Sequence, residues 1–163
     1  MRRHTYEIEL AWTGNKGTGT SDYTAYGREH MLNATGGKPP IPGSSDPQFR
    51  GNADRWNPEE LLVASLSACH QLWYLHLAAD AGVVVVGYED RPTGEMVEEE
   101  PGGAGQFERV TLRPRVTVTA ESDTELAARL HAAAHEKCFV ARSVNFPVAC
   151  EPQIVAKAPA SAH

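Results

Sequence analysis

Several signatures that assign a function quickly are missing from these 163 residues. No apolar run approaches the ~18–20 residues that a membrane-spanning helix needs. No GxSxG elbow marks a serine hydrolase, and the cysteines are too far apart for a CxxC motif. Positive charge is in deficit. The formal charge is −6, and the Lys and Arg residues are scattered, so there is no electrostatic footprint for nucleic acid. The opening MRRHTYEIELAW alternates polar and apolar residues instead of carrying the continuous apolar region of a signal peptide, so a cytoplasmic location is expected. No repeat, low-complexity block or linker interrupts the chain. Residues 1–163 read as a single domain long enough to bury a core, although 14 glycines and 11 prolines make much of it turn or surface.

What is present reads as a mixture of strands and two helices. Residues 5–12 alternate as a strand, TGNKGTGTSD turns, and a second strand is expected around YTAYGREHML. From Asn33 to Asp54 Gly, Pro, Ser and Asp predict a long surface excursion, with one short strand near KPPIPG. At Asn57 the run Asn-Pro-Glu-Glu supplies a cap, a proline preset for the first turn, and carboxylates facing the positive end of the helix dipole. A helix to about Asp80, stopping before Gly82, follows. It is apolar on most faces, which predicts a central, enclosed helix. VVVVGYED and RVTLRPRVTVTA read as the strands of a second hairpin, with Glu98 to Gly105 as a turn. Ser122 is the expected cap of a second helix, with Glu125 in capping-box position, running to about Arg142. A short closing strand in NFPVACEPQIVAKA and a frayed APASAH tail complete the chain.

Cysteine is scarce: there are three. Cys69 and Cys138 each fall in a predicted helix in an Ala-rich setting, which suggests a buried pair, and in a reducing compartment such a pair is more often redox-active or metal-bound than a fixed disulfide. Read locally, Cys69 fits an inert packed thiol as well as a reactive one. Being mid-helix, it gains little from a helix terminus, and an arginine is the natural source of the positive charge a thiolate needs. Cys150 alternates with apolar residues and reads as structural. A zinc set of Cys69, His70, His135 and Cys138 is disfavoured, because adjacent helical residues point about 100° apart; no metal ligand is assigned. His76 and His131 read as packing residues. Glu59 and Glu60 suit the first helical turn. Glu59 lies ten residues before Cys69, about 15 Å along a straight helix. It could serve a thiol only in another subunit or through an intermediary.

The runs NPEELLVASLSAC (57–69) and HEKCFVARSVNFPV (135–148) resemble the two cysteine motifs of the OsmC/Ohr family, and the resemblance extends from the AWTG of the first strand to the last. It implies an α+β fold in which two chains interlock as a homodimer, with central helices packed against antiparallel sheets and active sites at the interface. It also implies a thiol-dependent peroxidase of the oxidative-stress response, with Cys69 as peroxidatic thiolate, Cys138 as resolving thiol and no bound cofactor. The family's glutamate falls on Glu59, where it would hold an arginine. That arginine is Arg50 if OsmC-like members are followed with a one-residue shift, and Arg28 if Ohr-like members are. Arg55 reads as a solvated loop residue. His70 departs from the aromatic residue expected after the first cysteine, and HQLWYLHLA resembles a less characterised OsmC-like subgroup.

The resemblance thus leads to organic hydroperoxides, favoured by the apolar Leu66 and Trp73, with hydrogen peroxide as a second substrate and a dithiol such as a lipoylated protein as reductant. The alternative is a noncatalytic OsmC-like protein that binds a small apolar or thiol-reactive ligand at the dimer interface.

Overall fold

A computed structural model of the chain describes residues 1–159; the end of the predicted tail, 160–163, lies outside them. The chain divides into two compact units, Met1–Leu61 and Leu62 onward.

The first unit is an antiparallel three-stranded sheet, β1 (Ile8–Trp12), β2 (His30–Ala34) and β3 (Ile41–Gly43), in that order, with Trp12 opposite His30 and His30 opposite Gly43. β2 begins later than the alternation of YTAYGREHML predicts. Asp22 accepts hydrogen bonds from Thr24 N and Thr24 Oγ1, which turns the chain locally. The loop is then held closed by Gly27 N donating to Gly14 O at 2.8 Å and by the Trp12 indole donating to Gly27 O at 2.9 Å. A Cβ on Gly14 would stand 2.1 Å from Gly27 O, so only glycine permits this approach. After β3, a 3₁₀ turn at Pro47–Phe49 is capped by Asp46 and ends at Arg50, whose φ of 65° is in the left-handed region.

α1 spans Pro58–Asp80, as its capping residues predict. The cap is reciprocal: Glu60 N donates to Asn57 Oδ1 at 2.8 Å, and Asn57 N donates to Glu60 Oε2 at 3.2 Å. At the other end Gly82, with φ 75°, lets Val83 N reach Ala78 O and Gly82 N reach Ala79 O, a Schellman closure that only a left-handed residue allows. Within this chain the helix is covered on most of its circumference and leaves one face open, along Ser65, Ala68, Leu72, His76 and Ala79. Its buried stripe is Leu66, His70, Tyr74 and Ala78, one residue per turn, while Leu72 is 65 % exposed.

In the second unit the expected hairpin is present but divided. β4 (Val85–Glu89) pairs antiparallel with β7 (Arg115–Val118), and β5 (Thr93–Glu98) with β6 (Gly105–Leu112). The closing segment is divided too: β8 (Val148–Cys150) adds parallel to β6, and β9 (Gln153–Ala156) parallel to β7. The result is two mixed sheets, β4-β7-β9 and β5-β6-β8. The breaks fall at Pro92, Pro114 and Pro152. Proline has no N–H to give a ladder, so each strand must interrupt its pairing there. Asp90 bridges the first two breaks by accepting from Arg113 N at 2.7 Å.

α2 (Thr124–Lys137) starts and ends elsewhere than predicted. Its cap is Asp123, which accepts from Glu125 N and Leu126 N at 2.9 and 3.0 Å. Ser122 is occupied otherwise: it accepts from Val84 N at 3.0 Å and pairs with Thr119 Oγ1 at 2.9 Å. The helix stops at Lys137 rather than Arg142, because Cys138 turns extended (φ −66°, ψ 110°) before a 3₁₀ turn at Ala141–Ser143. Tyr74, Ala78, Val116, Val118, Ala127 and Ala134 form one core, and Leu66, Val110 and Leu112 a second. The chain is therefore α+β. No helix among the described residues is long and apolar enough to cross a membrane.

Candidate functional site

Within the second unit, α1 and the turn after α2 bring Cys69 and Cys138 together. Cys138 is 1 % exposed, Cys69 is half-buried, and both are free thiols. Cys138 is therefore not inside a helix but at its C-terminal cap, where its Sγ accepts from Ala141 N at 3.4 Å. Burial, followed by the adjacent Cys69 thiol, pushes Cys138 up to about 11, against the opposing pull of the Ala141 N–H. Cys138 thus stays protonated at neutral pH.

Cys69 opens onto a cleft of about 530 Å³ lined also by Ser65, Ala68, Leu72, Trp73, His76 and Phe139. The lining is mostly carbon. Trp73 makes edge-to-face contacts with Phe139 at 5.6 Å and His76 at 5.8 Å between ring centres. Phe139 is 68 % exposed, so this wall is apolar surface in contact with solvent. The expectation of an apolar setting holds for Trp73, but Leu66 is buried in the core beneath the helix and does not line the cleft.

The other predicted residues, Arg28, Arg50 and Glu59, belong to the first unit. The Arg28 guanidinium is tied to its own loop: it donates to Tyr26 O at 2.6 Å and Tyr23 O at 2.7 Å, and lies 3.9 and 4.5 Å from the centres of those two rings. Arg50 is exposed, with no salt bridge among the described residues. Glu59 is half-buried. Arg55 is half-buried rather than solvated and donates to His30 O at 3.4 Å.

His70, one residue from Cys69, faces the interior. Its Nε2 lies 2.9 Å from Nδ1 of His131 on α2, and the Sγ of Cys150 on β8 lies 3.7 and 3.9 Å from the same two nitrogens. Burial holds both imidazoles down at about 4, although the charge of Asp90 favours a protonated His70, and burial with Asp90 and Glu151 pushes Cys150 up to about 12. At neutral pH all three side chains are uncharged. The sequence reading treats His131 and Cys150 as packing and structural residues and leaves Cys150 without a partner. Their convergence with His70 joins positions 61 and 80 residues apart, which no local pattern reveals.

A family model described as OsmC-like protein matches residues 51–153. Among solved structures, an OsmC-like protein of unknown function from Vibrio cholerae is 29 % identical, with a TM-score of 0.80 over 92 % of this chain and 99 % of that one. An organic hydroperoxide resistance protein OsmC from Legionella pneumophila is 17 % identical, with a TM-score of 0.68 over 95 % and 99 %. The organic hydroperoxide resistance protein OhrB of Bacillus subtilis is 20 % identical, with a TM-score of 0.62 over 93 % and 98 %. These last two share the fold. No curated protein matches.

Proposed function

The chain belongs to the OsmC-like protein family, and from that premise we propose that it is a thiol-dependent peroxidase that reduces organic hydroperoxides with Cys69 and Cys138. The observation that carries this reading is the contrast between two neighbouring thiols. Cys69 is reachable from an apolar cleft, whereas Cys138 is buried, protonated and adjacent.

The chemistry follows from that contrast. The Cys69 thiolate attacks the terminal peroxide oxygen, the O–O bond breaks, and the alkoxide leaves as alcohol after taking a proton. Cys69 is then a sulfenic acid. Cys138 attacks its sulfur, gives up its own proton, and expels hydroxide as water, which leaves a disulfide. A dithiol reductant, with a lipoylated protein the proposed donor, reopens it by exchange. Because Cys138 is held up at about 11, it does not compete for peroxide before Cys69 is oxidised. The carbon-lined cleft suits alkyl hydroperoxides better than hydrogen peroxide. Glu59, by gripping an arginine, would supply the positive charge beside the thiolate. Arg50 is favoured over Arg28, whose guanidinium is already committed to its loop.

The working unit in this reading is a cytoplasmic homodimer in which the catalytic groups assemble as one site. Exposed apolar side chains in each unit support it: Ile8, Leu10 and Trp12 on β1, and Leu72 and Phe139 beside the cleft. The test is thiol counting. The reduced protein should lose two thiols per chain on adding cumene hydroperoxide. Cys69→Ser should lose none, and Cys138→Ser should hold a sulfenic acid that dimedone captures. A wild-type protein that keeps all its thiols with every hydroperoxide tried is a noncatalytic binder, and the peroxidase reading fails.

A further inference from the structure

Among the described residues, three metal-binding side chains that the peroxidase chemistry leaves unused converge in the second unit: His70, His131 and Cys150. They come from three different elements, α1, α2 and β8, and the two histidines are 1 % and 3 % exposed. Two buried, neutral imidazoles turned toward each other are a costly way to fill a core. Whichever tautomer the 2.9 Å contact adopts, the second nitrogen of His131, Nε2, is buried with no hydrogen-bond partner among the described residues. An unpartnered polar atom of that kind costs roughly 1–3 kcal/mol.

The donor triangle lies on the other edge of the His131 ring, at Nδ1, so the facing atoms and not Nε2 of that ring are what point to a ligand. Nε2 of His70, Nδ1 of His131 and Sγ of Cys150 form a triangle with sides of 2.9, 3.7 and 3.9 Å. The point equidistant from the corners of such a triangle is about 2.1 Å from each, against ~2.0–2.1 Å for a zinc–imidazole bond and ~2.3 Å for a zinc–thiolate bond. With zinc–nitrogen bonds of ~2.0–2.1 Å a tetrahedral angle sets two nitrogens roughly 3.4 Å apart, so binding parts the imidazoles by about half an ångström from their 2.9 Å contact. Charge is also provided for. A divalent ion with one thiolate leaves a buried +1, and Asp90 is near enough to bear electrostatically on both His70 and Cys150.

We propose that His70, His131 and Cys150 form a binding site for a thiophilic divalent metal ion of the zinc class, separate from the Cys69–Cys138 pair. Binding exchanges protons for metal. The Cys150 thiol releases its proton to solvent, and the proton between the two imidazoles moves to the outer nitrogen of its own ring, leaving both facing nitrogens as lone-pair donors. No electron is transferred. The ion ties α1, α2 and β8 together, so it acts on the stability of the second unit.

The experiment is an anaerobic titration of the full, reduced chain with cobalt(II) as the spectroscopic stand-in, followed by displacement with zinc. One equivalent per chain should produce a thiolate-to-cobalt band in the near ultraviolet and tetrahedral d–d bands in the visible, which zinc should abolish. The bands should persist in Cys69→Ser/Cys138→Ser, vanish in Cys150→Ala, and require at least tenfold more cobalt in His131→Gln, with circular dichroism showing each variant folded. Two separate ligand substitutions guard against one failing to fold. Absence of the bands in the wild type, their survival in folded Cys150→Ala, or their loss from the double variant would each overturn the proposal.

Discussion

Cys69 and His70 are adjacent on α1 yet serve separate environments: the sulfur opens on an apolar cleft beside Cys138, while the imidazole points inward to His131 and Cys150 at 2.9 and 3.7 Å. The roughly 100° between successive helical residues produces this division. One helix thereby holds a candidate redox centre and a buried donor cluster side by side without mixing their ligands.

Thiol reactivity should follow that division. With the reduced protein and iodoacetamide at pH 8, Cys69 should be alkylated at least ~100-fold faster than Cys138, which burial both hides and keeps protonated, and faster than the half-buried Cys150, whose thiol is also pushed up. Peptide mapping by mass spectrometry after timed quenching gives the three rates. Equal rates at Cys69 and Cys138 would remove the contrast on which their proposed roles rest.

Acid should destabilise the metal-free protein through the histidine pair. Both imidazoles stay neutral in the folded state down to about 4, whereas the unfolded chain takes up protons near 6.5. Between those values the unfolded state binds more protons, so stability is flat above pH 6.5 from this source and falls as the pH drops toward 4. Urea midpoints measured at half-unit steps should show a loss of roughly 2 kcal/mol or more by pH 4.5, and the slope should be shallower in His131→Gln.

Much of α1 was legible because its signals are local. Asn57, Pro58 and Glu60 set its start and Gly82 its stop, and both ends match the observed cap and Schellman closure. Competition between neighbours was harder to read: Ser122 and Asp123 are both good caps, and Asp123 takes the position because Val84 and Thr119 occupy Ser122. The pairing of motifs around Cys69 and Cys138 was visible as a family resemblance, whereas the extended turn at Cys138 was not, since its Ala-rich approach reads as continuing helix. His70, His131 and Cys150 meet only through tertiary packing, so periodicity along any one segment could not have joined them.

The two ends of α1's support differ in worth. Asn57→Ala should lower unfolding free energy by about 1 kcal/mol, the usual effect of losing a cap. Leu66→Ala, fully buried against Val110 and Leu112, should cost about 2–5 kcal/mol. Chemical denaturation of both variants checks the order, and a larger loss for Asn57→Ala than for Leu66→Ala would contradict it.

The two arginines separate by kinetics. If Arg50 supports the Cys69 thiolate, Arg50→Ala should lower kcat/KM for cumene hydroperoxide by at least ~100-fold, a loss of about 2.7 kcal/mol in transition-state stabilisation. Arg28→Ala should chiefly loosen the loop it ties to Tyr23 and Tyr26, with a change in kcat/KM below tenfold. Stopped-flow peroxide consumption on both variants decides between them, and the reverse pattern would assign the role to Arg28.

The prolines at 92, 114 and 152 do more than divide one sheet into two. Sliding any of these strands by a single residue would turn its inward side chains outward and also carry a ring nitrogen with no hydrogen into a rung that demands a donor. The crease therefore serves as a set of indexing pins. Misaligned pairing is penalised at each of the three junctions, and Cys150, two residues before the last pin, inherits a fixed height on its strand.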